Sequence, residues 1–401
     1  MTDATTRGEG VVSSDIDPFS DEALADPWPV EEALRETAGV VWLEKHGVYA
    51  CARFDEVHRI LADSETFSSA AGVGMWDIRS GPYARGRAQL LEMDPPDHTR
   101  YRSVHNKVLN PGFVRGLKDE FGASARDLVA PLIGAGTIDG IRDIAVPYPL
   151  SVFPDMIGVA EEGRENLLPA AALTFNDFGP DNEVLARSRE AGQQAQQWLI
   201  AQASPGAARP GGVAEKIHEV GAASGLEPSD TLSLVFGLLS AGLDTTMHGL
   251  GWALHFLATN PDQWQKLKDD PSLARSAFEE AVRLGSPVKW FGRHTTREVQ
   301  LGDAVIPADS HVIVFLGAAN RDPRKWDDPE RYDILRTTSG HVGFGAGVHS
   351  CVGQMVARME GQSLLGTLAT EVDRIELRGE PTYDISNSLR GLHTLPVALT
   401  A

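Results

Sequence analysis

The tightest constraint in the sequence is the run Gly343-Phe344-Gly345-Ala346-Gly347-Val348-His349-Ser350-Cys351-Val352-Gly353, where four glycines crowd around one cysteine. Glycine loses more backbone freedom on folding than any other residue, so this density implies a sharp turn or a close approach by something flat. A dinucleotide loop would need glycine at position 350, where Ser350 stands, and no Lys-Ser/Thr pair follows, so both phosphate-cradling patterns fail. A thiolate is the other reading. Cys351 stands at the start of an expected helix over 354–365, whose dipole and free N–H groups would lower its pKa. An isolated cysteine beside a glycine turn is more often a buried structural thiol, and these residues alone leave both readings open.

The chain has 401 residues and only two cysteines, Cys51 and Cys351, too far apart in sequence for a disulfide framework or a four-thiolate metal site to be read from them. If a cysteine does chemistry, it acts singly. With 42% hydrophobic and 23% charged positions the chain is globular, able to bury one large core or two modest ones. Lys and Arg number 36 against 56 Asp and Glu, a net charge of −20, which argues against nucleic acid and anionic membranes as partners. Residues 1–20 are polar and acidic, read as a flexible segment without the pattern of a signal peptide, so the expected location is cytoplasmic. The stretch 232–257 carries Asp244 and His248, too polar for lipid and consistent with a buried helix.

Helical signals dominate the middle of the chain and strand signals cluster near its ends. Residues 40–43 and 48–52 read as an antiparallel hairpin, followed by a helix over 56–62 opened by Asp55, and further strands are expected at 299–301, 304–306 and 311–315. From Pro228-Ser229-Asp230 a well-capped helix runs roughly 30 residues, ~45 Å, long enough to cross a domain. The stretch 203–212 reads as a surface loop between helices. These features predict one domain over 21–401, mainly α with small β-sheets, built on a long central helix. Cys51 falls on a strand as an ordinary thiol, and His46 and His218 read as surface residues.

The run from Phe344 to Gly353 resembles the haem-binding loop of the cytochrome P450 family, F-x-x-G-x-H/R-x-C-x-G. The resemblance implies that Cys351 is the axial ligand of a haem b iron, with Phe344, Gly345, His349 and Gly353 in the cofactor site. Three further motifs occur in the family's order. Glu280-Ala281-Val282-Arg283 places a carboxylate and a guanidinium three apart on one helix face and matches the family's buried pair, with Arg331 as the expected third member. Ser240-Ala241-Gly242-Leu243-Asp244-Thr245 matches the segment over the haem: small Ala241 and Gly242 beside the macrocycle, and Asp244 with Thr245 as the acid–alcohol pair that serves bound dioxygen. His98 and Arg102, four apart after Pro96, suit the haem propionates, as do Arg293 and His349, and His341 is expected in the same shell. The likeness runs from Pro27 to the end of the chain.

Other segments are similar to a narrower bacterial group, monooxygenases of para-substituted benzoates such as 4-methoxybenzoate: 148–155, 175–180, Ser286-Pro287-Val288 with Phe291, and 389–392. That likeness implies an aromatic slot lined by Phe175, Phe178, Val288, Phe291 and Leu392, with Trp76, Phe236, Gly237 and Ser240 around it. The group binds the substrate carboxylate with arginine and serine at places that here read Ala71 and Phe236-Gly237. A buried carboxylate without those cations loses several kcal/mol, on the order of a broken buried ion pair. A neutral para-substituted phenol or aryl ether is therefore a competing substrate, unless Arg79, Arg85 or Arg87 replaces the charge; Trp76 or Tyr83 could donate to a phenol.

The resemblance implies a monooxygenase that hydroxylates or O-demethylates a small aromatic with O2. Electrons would come from a ferredoxin and ferredoxin reductase, with Arg100, Arg102, Lys107 and Arg115 as a local basic face for the acidic donor. A peroxide-using enzyme or dehydratase, and a non-catalytic haem-based ligand binder, are the alternatives.

Overall fold

The expected hairpin forms with Val41–Leu43 antiparallel to Val48–Cys51, Trp42 opposite Tyr49, and Gly47 at φ 65° closes its turn. In the computed structural model, which describes residues 8–401, the hairpin is part of a six-stranded sheet. The strand order is Val12–Ser14, Val41–Leu43, Val48–Cys51, His311–Phe315, Trp290–Thr295 and Phe67–Ser68. The flexible segment expected over 1–20 is corrected for residues 8–20: Val12–Ser14 pairs in parallel with Val41–Leu43, and the Ser20 hydroxyl caps helix Asp21–Ala25. Residues 1–7 lie outside the described residues. His46 is also corrected, since its buried ring bonds Asp17 at 2.7 Å and packs edge-on against Phe19. His218 bridges the Thr231 hydroxyl at 2.7 Å and the Ala203 carbonyl at 3.1 Å rather than facing solvent.

The strands expected at 299–301 and 304–306 form a separate two-stranded pair, Val299–Leu301 with Ala304–Ile306. Helix Phe54–Ala62 begins before Asp55 because its cap comes from across the fold: the Asp322 carboxylate accepts the Phe54 N–H at 2.8 Å. The loop 203–212 joins helices Glu183–Gln202 and Val213–Ala223 as expected.

The long central helix is broken in two, Pro228–Ala241 and Asp244–Thr259. At the break, the Thr245 hydroxyl donates to the Ala241 carbonyl at 2.8 Å and the Thr246 hydroxyl to the Gly242 carbonyl at 3.0 Å, which bends the ladder open. Gly242 also admits the Phe153 ring, since a Cβ there would lie 2.3 Å from it. Helices Lys118–Val129, Asp244–Thr259, Ala274–Gly285 and Gln354–Glu371 share the main core. Phe121, Phe278 and Leu364 are almost fully buried there, each contributing about 1.5–3 kcal/mol of burial.

Beside that core, Arg283 forks onto Glu280 at 2.7 and 2.8 Å, both side chains wholly buried. Its remaining donors bond the Asn320 carbonyl at 2.6 Å and the Pro329 carbonyl at 3.0 Å. The third member of the cluster is Arg336, which donates to Glu280 at 3.0 Å. Arg331, expected in that role, is exposed and offers Arg336 only its carbonyl. The difference follows from the turn after Pro329, where Asp333 gives its backbone N–H to Glu280 and carries the chain inward beyond position 331.

Candidate functional site

The Glu280–Arg283 cluster positions the cysteine loop through one residue. Asn320 takes Arg283 on its carbonyl, donates from its amide to Ser286 at 2.9 Å, and accepts the Val342 N–H at 2.8 Å, just where the loop begins. Gly345 and Gly347 then take left-handed backbones, φ 70° and 65°, and a Cβ on Gly347 would lie 2.8 Å from Ala62 Cα. The turn closes with the Cys351 N–H on the Phe344 carbonyl at 2.8 Å. Helix Gln354–Glu371 leaves immediately afterwards.

Burial pushes the Cys351 thiol up from its ordinary range, against the opposing pull of the Gly353 N–H, the Arg102 and Arg358 charges and the Gln354 N–H. The lowered thiol pKa expected from the helix start is therefore not what the protein alone produces. Desolvation outweighs these pulls, and a helix end offers on the order of 1 kcal/mol against it. Cys51 lies buried in the sheet, its thiol also pushed up by burial.

Cys351 lies on the wall of a cavity of about 460 Å³. Its loop contributes Phe344, Gly345, His349 and Gly353, and the broken helix contributes Phe236, Gly237, Ser240, Ala241, Gly242 and Thr245. His98, Arg102 and Arg293 complete one side. Among the described residues these cations have no carboxylate in ion-pair contact: Arg102 bonds the Ser350 carbonyl at 2.6 Å and Arg293 the Gly292 carbonyl at 2.7 Å. The rings of His98 and His349 are 4.4 Å apart, and the Nε2 atom of each is buried without a partner among the described residues. Burial, then the Arg293, His98 and Arg102 charges, press His349 down to about 3, and burial lowers Arg293 to about 10. Clustered cations that depress one another, with orphaned donors, fit a ligand bringing a pair of negative charges.

The opposite part of the cavity is aromatic. Phe175 and Phe178 meet edge to face at 5.9 Å, Phe178 and Phe291 at 6.2 Å, and Val288 joins them. Two expected slot residues lie elsewhere. Leu392 is buried in the main core on strand Leu392–Thr394. Trp76 stacks flat on Tyr83 at 4.6 Å, outside the cavity lining. His341 is also displaced: it bonds Glu279 at 3.0 Å and faces a surface hollow with Arg275 and Arg358, not the cavity. Asp244, next to Thr245, is buried off the cavity lining, its Oδ1 without a partner among the described residues, and burial followed by the Asp384 charge raises it to about 8.

A family model of the cytochrome P450 matches residues 213–371. Over 401 residues the chain is 49% identical to cytochrome P450 CYP199A2 of Rhodopseudomonas palustris, covering 100% of this chain and 97% of that protein. This chain belongs to the cytochrome P450 family. It is also 33% identical to beta-dihydromenaquinone-9 omega-hydroxylase of Mycobacterium tuberculosis over 96% of this chain and 79% of that protein. The solved structure of cytochrome P450 CYP109Q5 from Chondromyces apiculatus superposes with a TM-score of 0.78 at 29% identity, covering 98% of each chain. The mainly α fold with small sheets is thus the P450 fold, its cofactor is haem, and the chain is a P450 monooxygenase. No described helix is long and apolar enough to cross a membrane.

Several P450 residues here carried no sequence signal. Glu360 and His105 line the cavity, each 1% exposed, and neither Glu360 oxygen nor His105 ring nitrogen has a partner among the described residues. Arg85 reaches the cavity but is held in a fork by Glu92, both bonds 2.7 Å. Arg79 is tied to Asp77 and Asp309 instead, at 2.7 and 2.8 Å, and Ala71 is buried outside the lining. Arg102 faces inward, which removes it from the expected basic face and leaves Arg100, Lys107 and Arg115 exposed there.

Proposed function

We propose that this P450 hydroxylates or O-demethylates a small para-substituted aromatic, and that neutral phenols and aryl ethers suit it better than benzoates. In this reading Cys351 is the thiolate ligand, His98, Arg102, Arg293 and His349 hold the two haem carboxylates, and Ala241, Gly242, Phe344, Gly345 and Gly353 border the ring. Haem bound there supplies the activation of O2 with electrons delivered one at a time. The protein's share is positional. Phe175, Phe178, Phe236, Val288 and Phe291 bury an aromatic ring and exclude water, while Gly237 and Ser240 leave room beside it. Thr245, its hydroxyl anchored on the Ala241 carbonyl, presents oxygen toward the cavity, and buried Asp244 holds a proton beside it.

The observation that carries the substrate reading is the charge of the lining. Apart from Arg102, Arg293 and the histidines, Arg85 is the sole cationic side chain among the described lining residues, and Glu92 already neutralises it. A substrate carboxylate would have to compete with a wholly buried Glu92 for that guanidinium. A neutral ring needs no such partner. Electrons would come from a ferredoxin, kept reduced by its reductase, that docks on exposed Arg100, Lys107 and Arg115. Titrating the haem-loaded protein with 4-methoxyphenol and 4-methoxybenzoate, following the low-spin to high-spin Soret shift, tests the preference. The phenol should bind at least tenfold more tightly; tighter benzoate binding overturns the neutral-substrate reading, and no shift with either overturns the aromatic one.

A further inference from the structure

Neither Asp244 nor the next polar side chain on its helix face lines the substrate cavity. That next side chain is His248, one turn on at i+4. Its ring presses against the backbone of Gly391: a Cβ at position 391 would lie 1.7 Å from His248 Nδ1, so glycine there is the condition for the ring's placement. Gly391 in turn accepts the Asp384 backbone N–H at 3.0 Å, which fixes Asp384 beside the same ring. The Asp384 carboxylate bonds His393 Nδ1 at 3.0 Å, and these two side chains are 37% and 69% exposed. Titratable groups thus succeed one another from a buried carboxyl to solvent.

We propose that His248 and Asp384 form the proton entry path that recharges Asp244. The electrostatics agree: Asp384 is the charge felt by both groups, raising Asp244 after desolvation has done so and opposing the desolvation that lowers His248. The proton balance is simple. Asp384, in exchange with water and His393, gives a proton to one ring nitrogen of His248 while the other nitrogen releases one to the Asp244 carboxylate. Asp244 then passes it to the acceptor beside Thr245, and His248, left as its other neutral tautomer, moves its proton back to the first ring nitrogen through water before the next transfer. Asp244 Oδ1, buried without a partner among the described residues, is placed to take part.

This inference rests on the acid–alcohol reading of Asp244 and Thr245, and its test separates the two. In the haem-loaded protein the protonated Asp244 carboxyl should give an infrared C=O band that Asp244→Asn removes. After transfer to D2O that band should shift at least tenfold more slowly in His248→Phe and in Asp384→Asn than in the parent, with a matching fall in product formed per electron consumed. Asp384→Asn, at a partly exposed side chain, covers the case in which His248→Phe does not fold. Parent-like exchange and yield in Asp384→Asn overturn the relay. Full product yield per electron in Asp244→Asn overturns the acid–alcohol reading, and the relay falls with it.

Discussion

On the Cys351 side of the cavity, polar atoms are spent on fixing position: every guanidinium nitrogen of Arg283 and both oxygens of Glu280 have partners, and Asn320 passes that order to the loop. On the Phe175–Phe178–Phe291 side, rings meet rings at 5.9 and 6.2 Å with no such bonds between them. Directional bonds in a low dielectric define one geometry and penalise departures steeply, whereas apolar contacts tolerate exchange of shape at similar volume. The first side is therefore suited to holding one fixed group. The second is suited to being remodelled for a different substrate.

The contrast predicts a ranking of damage. Cys351→Ala should abolish the thiolate-type band of the reduced carbon-monoxide complex altogether, and a parent-like band would overturn the assignment of the ligand. Next in size is the cluster behind it. Arg283→Met takes the forked partner from buried Glu280, leaving its Oε2 unpaired, and should cost ~3–5 kcal/mol in urea unfolding, with loss of haem on purification. Arg336→Ala should cost less, about 1–3 kcal/mol, since Arg283 still holds Glu280. Arg331→Ala should fall within about 0.5 kcal/mol of the parent. If Arg331→Ala were the more harmful of the last two, the correction from Arg331 to Arg336 would be mistaken.

On the aromatic side the loss should appear in ligand binding. Phe178→Ala removes the ring that touches both Phe175 and Phe291. Such ring pairs contribute ~0.5–1.5 kcal/mol beyond burial, so affinity for 4-methoxyphenol should fall roughly tenfold, with the reduced carbon-monoxide spectrum unchanged. A Soret titration beside that spectrum checks both. A variant that lost the thiolate band would show that the two sides are not independent.

The same contrast explains what the sequence disclosed. The Cys351 loop, the 280–283 pair and His98 with Arg102 are local patterns, with spacing set by a turn or a helix, and the structure brings them around one cavity or behind it. Partners contributed from far along the chain had no local trace: Arg336 reaches Glu280 only through the turn after Pro329, and Glu360 is an ordinary helix residue until the fold buries it. Leu392 and Trp76 failed for the converse reason, since an apolar side chain suits a core or a ring stack as well as a ligand slot. The break in the central helix was foreshadowed by Thr245 and Thr246, whose hydroxyls compete for the carbonyls of Ala241 and Gly242.

The most discriminating effect concerns Glu92. It is wholly buried, forks onto Arg85, and accepts the Ala88 N–H at 2.8 Å, so it both orders the loop and consumes the cavity's spare cation. Glu92→Gln keeps the shape and an acceptor for Ala88 but removes the countercharge. Arg85 is already 40% exposed in its side chain, so water and an incoming anion can compensate it, and the stability loss should stay near 1–3 kcal/mol. A benzoate then meets an unneutralised guanidinium. A charged hydrogen bond of about 1.5–3 kcal/mol corresponds to a gain of roughly ten- to a hundredfold in 4-methoxybenzoate affinity, with 4-methoxyphenol affinity unchanged. Parallel Soret titrations of the two ligands read that difference directly. Equal changes for both would mean that Glu92 acts only through loop order, and that the charge of the lining does not choose the substrate.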